Sequence, residues 1–172
     1  MSPIEELVSN FQNLVAQVPE FIQPFVVMLA GAIPFIEGEG ASSIGVIGGI
    51  NPIVAAVAAA VGNFLTVLAV VLLSSRVRTA AVARRTRRNT PPAEPKPESK
   101  GRRRFRTWLV RFGVPGASII GPLAIPTHFT SAMLVASGTP RGWVLLWQGV
   151  AIVIWTTVTT VLFWGLLTAV LS

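Results

Sequence analysis

Glu37 and Glu39 are the residues whose type and position point most directly to chemistry. They stand in Glu37-Gly38-Glu39-Gly40, within a stretch from Phe21 to Leu73 that carries no other formal charge. A carboxyl group held away from water keeps its proton more tightly, and a like charge two residues away tightens the hold on one of the pair. Such a pair can share a proton and exchange it when access switches, which is the chemistry of proton coupling inside a membrane. The alternative is a turn in interfacial water with two ordinary surface charges.

Other polar residues stand in apolar surroundings. Asn63 falls within the next apolar run, as an interhelical hydrogen-bond partner or as part of a substrate or proton path. Arg111 either snorkels to headgroups or pairs with a carboxylate or an anionic substrate. His128 is either structural or a proton relay, and Thr127, Thr130 and Ser131 around it are candidates to line a substrate path. Ser131 near His128 lacks an identifiable third member and an oxyanion-hole motif, so no hydrolytic site is expected. One His with no Cys and no Asp makes no metal site. No phosphate-binding or dinucleotide loop occurs, so the expectation is a protein that is not an enzyme and uses no cofactor.

The elements that carry these residues follow from composition and pattern. Of the 172 residues, 52% are hydrophobic and 12% charged, against about 25% charged in an average soluble domain. From Pro115 to Ser172 the only formal charge is Arg141. A soluble chain of this size has no interior large enough for so much apolar surface, so lipid must cover part of it. The expected class is an all-α integral membrane protein, multi-pass, in the plasma membrane.

Ser2-Pro3-Ile4-Glu5 reads as a helix start. Ile4, Leu7, Val8, Phe11, Leu14, Val15 and Val18 follow at three- and four-residue steps, predicting an amphipathic helix within residues 1–20. It lies either on the membrane surface or against the rest of the protein; its polar face lacks the Lys and Arg usual in surface binders. From Phe21 to Ile50 the apolar pieces are short and broken by Pro24, Gly31, Pro34 and the Glu-Gly run. Neither piece has the ~20 residues of a span, and one fused helix would put two carboxylates near the bilayer centre. A re-entrant hairpin over 21–50 fits better. Ile53 to Leu73 is a span of ordinary length, with Ala55, Ala59, Gly62, Asn63 and Thr66 on one face for close helix packing.

Of the 14 Lys and Arg residues, 12 lie between Ser74 and Thr107. This predicts a basic cytoplasmic loop over 74–107, with a disordered linker at about 89–101, rich in Pro and charge. Few aromatics interleave with the charges, so contact with anionic lipid is the favoured reading over nucleic acid. Residues 108–138 then predict a second hairpin, and 143–171 a second span. Trp143 and Trp164 lie about 31 Å apart along a helix, close to the hydrocarbon thickness. Pro34 and Pro52 are 18 residues apart, as are Pro122 and Pro140, so an internal repeat is expected. If both hairpins re-enter, the chain crosses only at the two spans, and Arg141 falls on the same side as the basic loop. That agrees with the positive-inside rule and makes the halves inverted repeats, as in many secondary transporters.

The run Pro34-Phe35-Ile36-Glu37-Gly38-Glu39-Gly40-Ala41, with Gly49, Pro52 and Gly62-Asn63 after it, resembles the small multidrug-export family, which is related to the DedA-like (SNARE-associated) membrane proteins. Phe112-Gly113 through Pro122-Leu123-Ala124-Ile125-Pro126 to Thr130-Ser131-Ala132 looks like the family's second Pro- and Gly-rich hairpin. The resemblance covers most of the chain outside the N-terminal helix and the loop. It implies two re-entrant hairpins meeting at mid-membrane and proton-coupled export. This chain departs from the family at Glu39, where Arg is usual, and at Ser43, where Pro is usual, so an internal Glu–Arg pair is not carried over.

The functional expectation is a small proton-coupled secondary transporter exporting an amphipathic small molecule, as a homo-oligomer such as a homodimer or with a second subunit. Two alternatives stand beside it: a DedA-like translocase or scramblase of a lipid or lipid carrier, and a non-transporting membrane adaptor acting through its basic loop.

Overall fold

The computed structural model describes residues 3–87 and 113–171. The expected linker at 89–101, the end of the basic segment and Arg111 lie outside them. Among the described residues the chain is helical, with no strand. It divides into two compact units, one formed by Met1–Val67 with Gly149–Ser172, the other by Leu68–Gln148.

The first unit begins with α1, Pro3–Gln17. Val15 is fully buried, and Val8, Phe11 and Val18 pack on the same core, while Leu7 and Leu14 stay exposed. One edge of the apolar stripe therefore sits on protein, against α2 (Gln23–Gly31) and α3 (Glu37–Ile47). Pro24 in the first turn of α2 costs no hydrogen bond there. At 9 and 11 residues, α2 and α3 are only about 14 and 17 Å long.

The turn out of α3 leads into α4, Pro52–Arg87. Gly49 takes φ +82°, a left-handed conformation that ends helices at little cost for glycine. Asn51 then caps α4, its Oδ1 accepting the N–H of Ile53 at 3.0 Å, with Pro52 in the first turn. The buried face of α4 carries Ala55, Ala59, Gly62 and Asn63. Its small residues admit α2 at close range: Gly62 meets the Met28 carbonyl, and a Cβ on Gly31 would fall 2.5 Å from the Ala59 oxygen. Ile53, Val57, Val61 and Leu65 face outward at four-residue steps and are exposed.

α4 does not stop at Leu73. It continues for 36 residues to Arg87, so the first part of the expected basic loop, residues 74–87, is helix. Propagating an existing helix is cheap, Ala and Arg favour it, and Arg84, Arg85 and Arg87 suit the negative end of its dipole.

In the second unit, α5 (Gly113–Leu123) ends in a 3-10 turn at Gly121–Leu123. It is followed by α6, Thr127–Ala136, and by the start of α7, Arg141–Leu171. Both short-helix turns close in the same way. After α3, the N–H groups of Gly48, Gly49 and Ile50 donate to the carbonyls of Ile44, Val46 and Gly45. After α6, Ser137, Gly138 (φ +103°) and Thr139 donate to Met133, Val135 and Leu134. Each position in the second turn is the first advanced by the same 89 residues.

α4 and α7 are each long and apolar enough to cross a membrane. In their most apolar windows only 28% and 22% is buried inside the protein. A core helix of a soluble protein is mostly buried, so this exposure points to lipid as the cover.

Gly31→Ala should lower the melting temperature in detergent, because its new Cβ meets backbone that cannot yield. Gly165→Ala, where nothing lies within 4 Å, should leave it unchanged or raise it, helix propensity gaining roughly 1 kcal/mol.

Candidate functional site

The first-unit site forms where α3 begins. Residues 32–36 separate α2 from α3, and the backbone turns at two non-glycine residues in left-handed conformation, Phe35 at φ +74° and Glu37 at φ +52°. Each costs on the order of 1 kcal/mol or more, and such strain collects at functional sites. The Glu37 N–H donates to the Ile33 carbonyl at 3.0 Å. Glu37 is the first residue of α3 and is 5% exposed.

The next residue, Gly38, is the point where three helices converge. A Cβ there would strike the Thr156 hydroxyl of α7 and lie 3.6 Å from the Asn63 amide of α4. Asn63 is fully buried and Thr156 is 1% exposed. One turn further along α3, Ser42 Oγ lies 3.4 Å from Thr159 Oγ1. The threonines of α7 differ in what they bind. Thr160 donates to the Thr156 carbonyl at 2.6 Å, and Thr159 bonds the carbonyls of Trp155 and Thr156. The Thr156 hydroxyl is buried and has no hydrogen-bond partner among the described residues. A buried hydroxyl without a partner is costly.

The two carboxylates are not equivalent. Glu37 is enclosed, whereas Glu39 is only partly buried, and its carbonyl accepts the hydroxyls of Ser42 at 3.0 Å and Ser43 at 2.8 Å. The arrangement combines one enclosed carboxyl group with an amide and a hydroxyl inside an apolar bundle. Chemically it can hold a proton or a small cation and release it when the helices part.

The second unit holds the other sequence candidates. Thr127, His128, Thr130 and Ser131 are all buried. The Ser131 hydroxyl donates to the Thr127 carbonyl at 2.7 Å, and that of Thr130 to Ile125 and Pro126 at 3.4 and 3.3 Å. Both hydroxyls are engaged by their own segment, so lining a substrate path would require them to turn. Glu37, Glu39 and Asn63 thus belong to one unit and the His128 group to the other. Arg111 lies outside the described residues.

Pattern reading passed over three residues. Thr156 looked like packing, because spacing does not say which hydroxyl turns back to its own helix. Gly38 reads from sequence as part of the Glu-Gly turn, and its role as the contact point of α4 and α7 is a long-range fact. Gln148 is fully buried with both amide atoms unbonded, and its polar type within an apolar run was the available signal.

Gly38→Ala should destabilise the protein by roughly 1–3 kcal/mol through overpacking, and adding Thr156→Ala should restore most of it, as read by thermal unfolding in detergent. No protein-family model, curated protein or solved structure matches the chain.

Proposed function

We propose that the protein is a small secondary transporter in which proton binding at Glu37 switches access to an amphipathic substrate. The observation that carries this reading is the enclosure of Glu37 at a strained break between two short helices, one residue before Gly38, where α4 and α7 close in. A carboxyl group in that position is costly as a bare charge and serves a mechanism when it gains and loses a proton. Asn63 and Thr156 are the groups that answer the change in charge, and Glu39, nearer to water, is the relay.

Helix length supports the reading that α2–α3 and α5–α6 enter the membrane and return. None of the four reaches the ~30 Å of a hydrocarbon core. The shared turn geometry, 89 residues apart, supports two repeats. Within the first unit α4 and α7 run antiparallel, with Phe64 against Gly149 and the start of α4 against the end of α7. That agrees with two crossings and inverted repeats, and by the positive-inside rule the basic segment would then be cytoplasmic in the plasma membrane.

An apolar groove of about 490 Å³ in the first unit is lined by Ile53, Val57, Thr157, Val161 and Trp164, among others. Its size suits the apolar part of a drug-sized ligand. The same groove favours a second reading, movement of a lipid or lipid carrier, which needs no proton gradient.

The test is transport of a fluorescent amphipathic cation by proteoliposomes under an imposed pH gradient. Glu37→Gln should lower gradient-driven transport by about tenfold or more, with unchanged thermal stability, while Glu39→Gln keeps a larger share. Undiminished transport by Glu37→Gln would remove the proton role. Lipid movement that ignores the gradient would favour the second reading.

A further inference from the structure

In the second unit the basic end of α4 reaches the turn that precedes α7. Arg78 Nη2 lies 3.1 Å from the position a Cβ would take on Gly138. Sixty residues of chain separate these two, so the contact is tertiary. Gly138, left-handed and without a side chain, leaves the turn open to the guanidinium. Three residues later comes Arg141, exposed at the first position of α7.

Among the described residues neither arginine is matched by an acid. The described residues of this unit contain no Asp or Glu. The carbonyls at the end of α6 offer Arg78 only a partial negative charge. Hydroxyl groups complete the turn: Ser137 Oγ and Thr139 Oγ1 are 3.4 Å apart, and Ser137 also donates to the Leu134 carbonyl at 2.7 Å. Trp143 follows, 46% exposed, edge-on to Trp147 with ring centroids 5.8 Å apart. The Trp147 Nε1 is buried and has no partner.

We propose that Arg78 and Arg141 bind the phosphate group of an anionic lipid headgroup at this turn. A guanidinium presents two parallel N–H groups that match a phosphate, and two arginines offset the charge of one diester. The Thr139 hydroxyl, only 3.4 Å from Ser137 Oγ and able to turn, supplies a further donor. A lipid, rather than free phosphate, is favoured by position. The turn stands at the end of an apolar span, and Trp143 is the residue type that settles at the boundary between headgroup and acyl chain. The leaflet facing a basic segment is also the one rich in anionic lipid. This site is separate from Glu37 and does not depend on the transport reading.

The purified full chain in detergent, incubated with equal phosphatidylglycerol and phosphatidylcholine, tests this by mass spectrometry of the intact complex. The expected result is preferential retention of phosphatidylglycerol, falling by about fivefold for each guanidinium removed in Arg78→Gln and Arg141→Gln. Arg84→Gln with Arg85→Gln removes the same charge from the exposed end of α4 and should leave retention unchanged. Millimolar inorganic phosphate should not displace the lipid. Equal retention of the two lipids, or equal losses in the two double variants, would overturn the site by reducing it to general attraction. Displacement by inorganic phosphate alone would overturn the lipid assignment. Thermal unfolding of each variant verifies that the fold is kept.

Discussion

A backbone that breaks its helix inside an apolar medium must satisfy its own N–H and C=O groups, because no water is there to do so. The interruption between α2 and α3 would meet that demand locally. Ile33 accepts from both Ile36 and Glu37, and Ile36 accepts from Gly40, so the bonding runs on through the break. The solution forces left-handed backbone onto Phe35 and Glu37. Strain of that kind persists only if the surroundings hold it, and they do so by close packing. Hence the glycines and alanines of α2 and α4: larger side chains would hold the helices apart and open the break.

That packing also decides which polar groups become chemically unusual. Three helices meet at Gly38 because it carries no side chain, and the space brings an amide and a hydroxyl to the residue after an enclosed carboxyl group. A polar residue in an apolar bundle is costly wherever it sits. Most of the hydroxyls here avoid the cost by bonding a carbonyl one turn back on their own helix. Thr156 does not, and so stands apart from Thr159 and Thr160 on the same face of α7.

The two long apolar helices and the short pieces between them were legible in the sequence, since apolar runs, Pro and Gly report local conformation directly. The small-residue face of α4 was legible for the same reason: its spacing of three and four marks one side of a helix. Less visible was how far α4 runs past Leu73, because charge marks the edge of an apolar segment and not the end of a helix. The stripe of α1 was ambiguous for a related reason. Periodicity says that Val15 lies on an apolar face, but not whether lipid or protein covers it. Glu37 and Glu39 were recognised together; their different burial comes from tertiary packing that two letters so close in sequence do not encode.

The overhang of α4 has a thermodynamic consequence of its own. From Arg76 to Arg87 every side chain is exposed, so these turns gain little from packing and owe their order to continuity with the embedded part. A helix of that kind has a gradient of opening free energies rather than one value. Amide protons near Arg87 should exchange with solvent first, and protection should climb residue by residue toward the apolar part of α4. The span thus acts as a permanent nucleus, able to regrow the frayed turns without the penalty that an isolated peptide would meet.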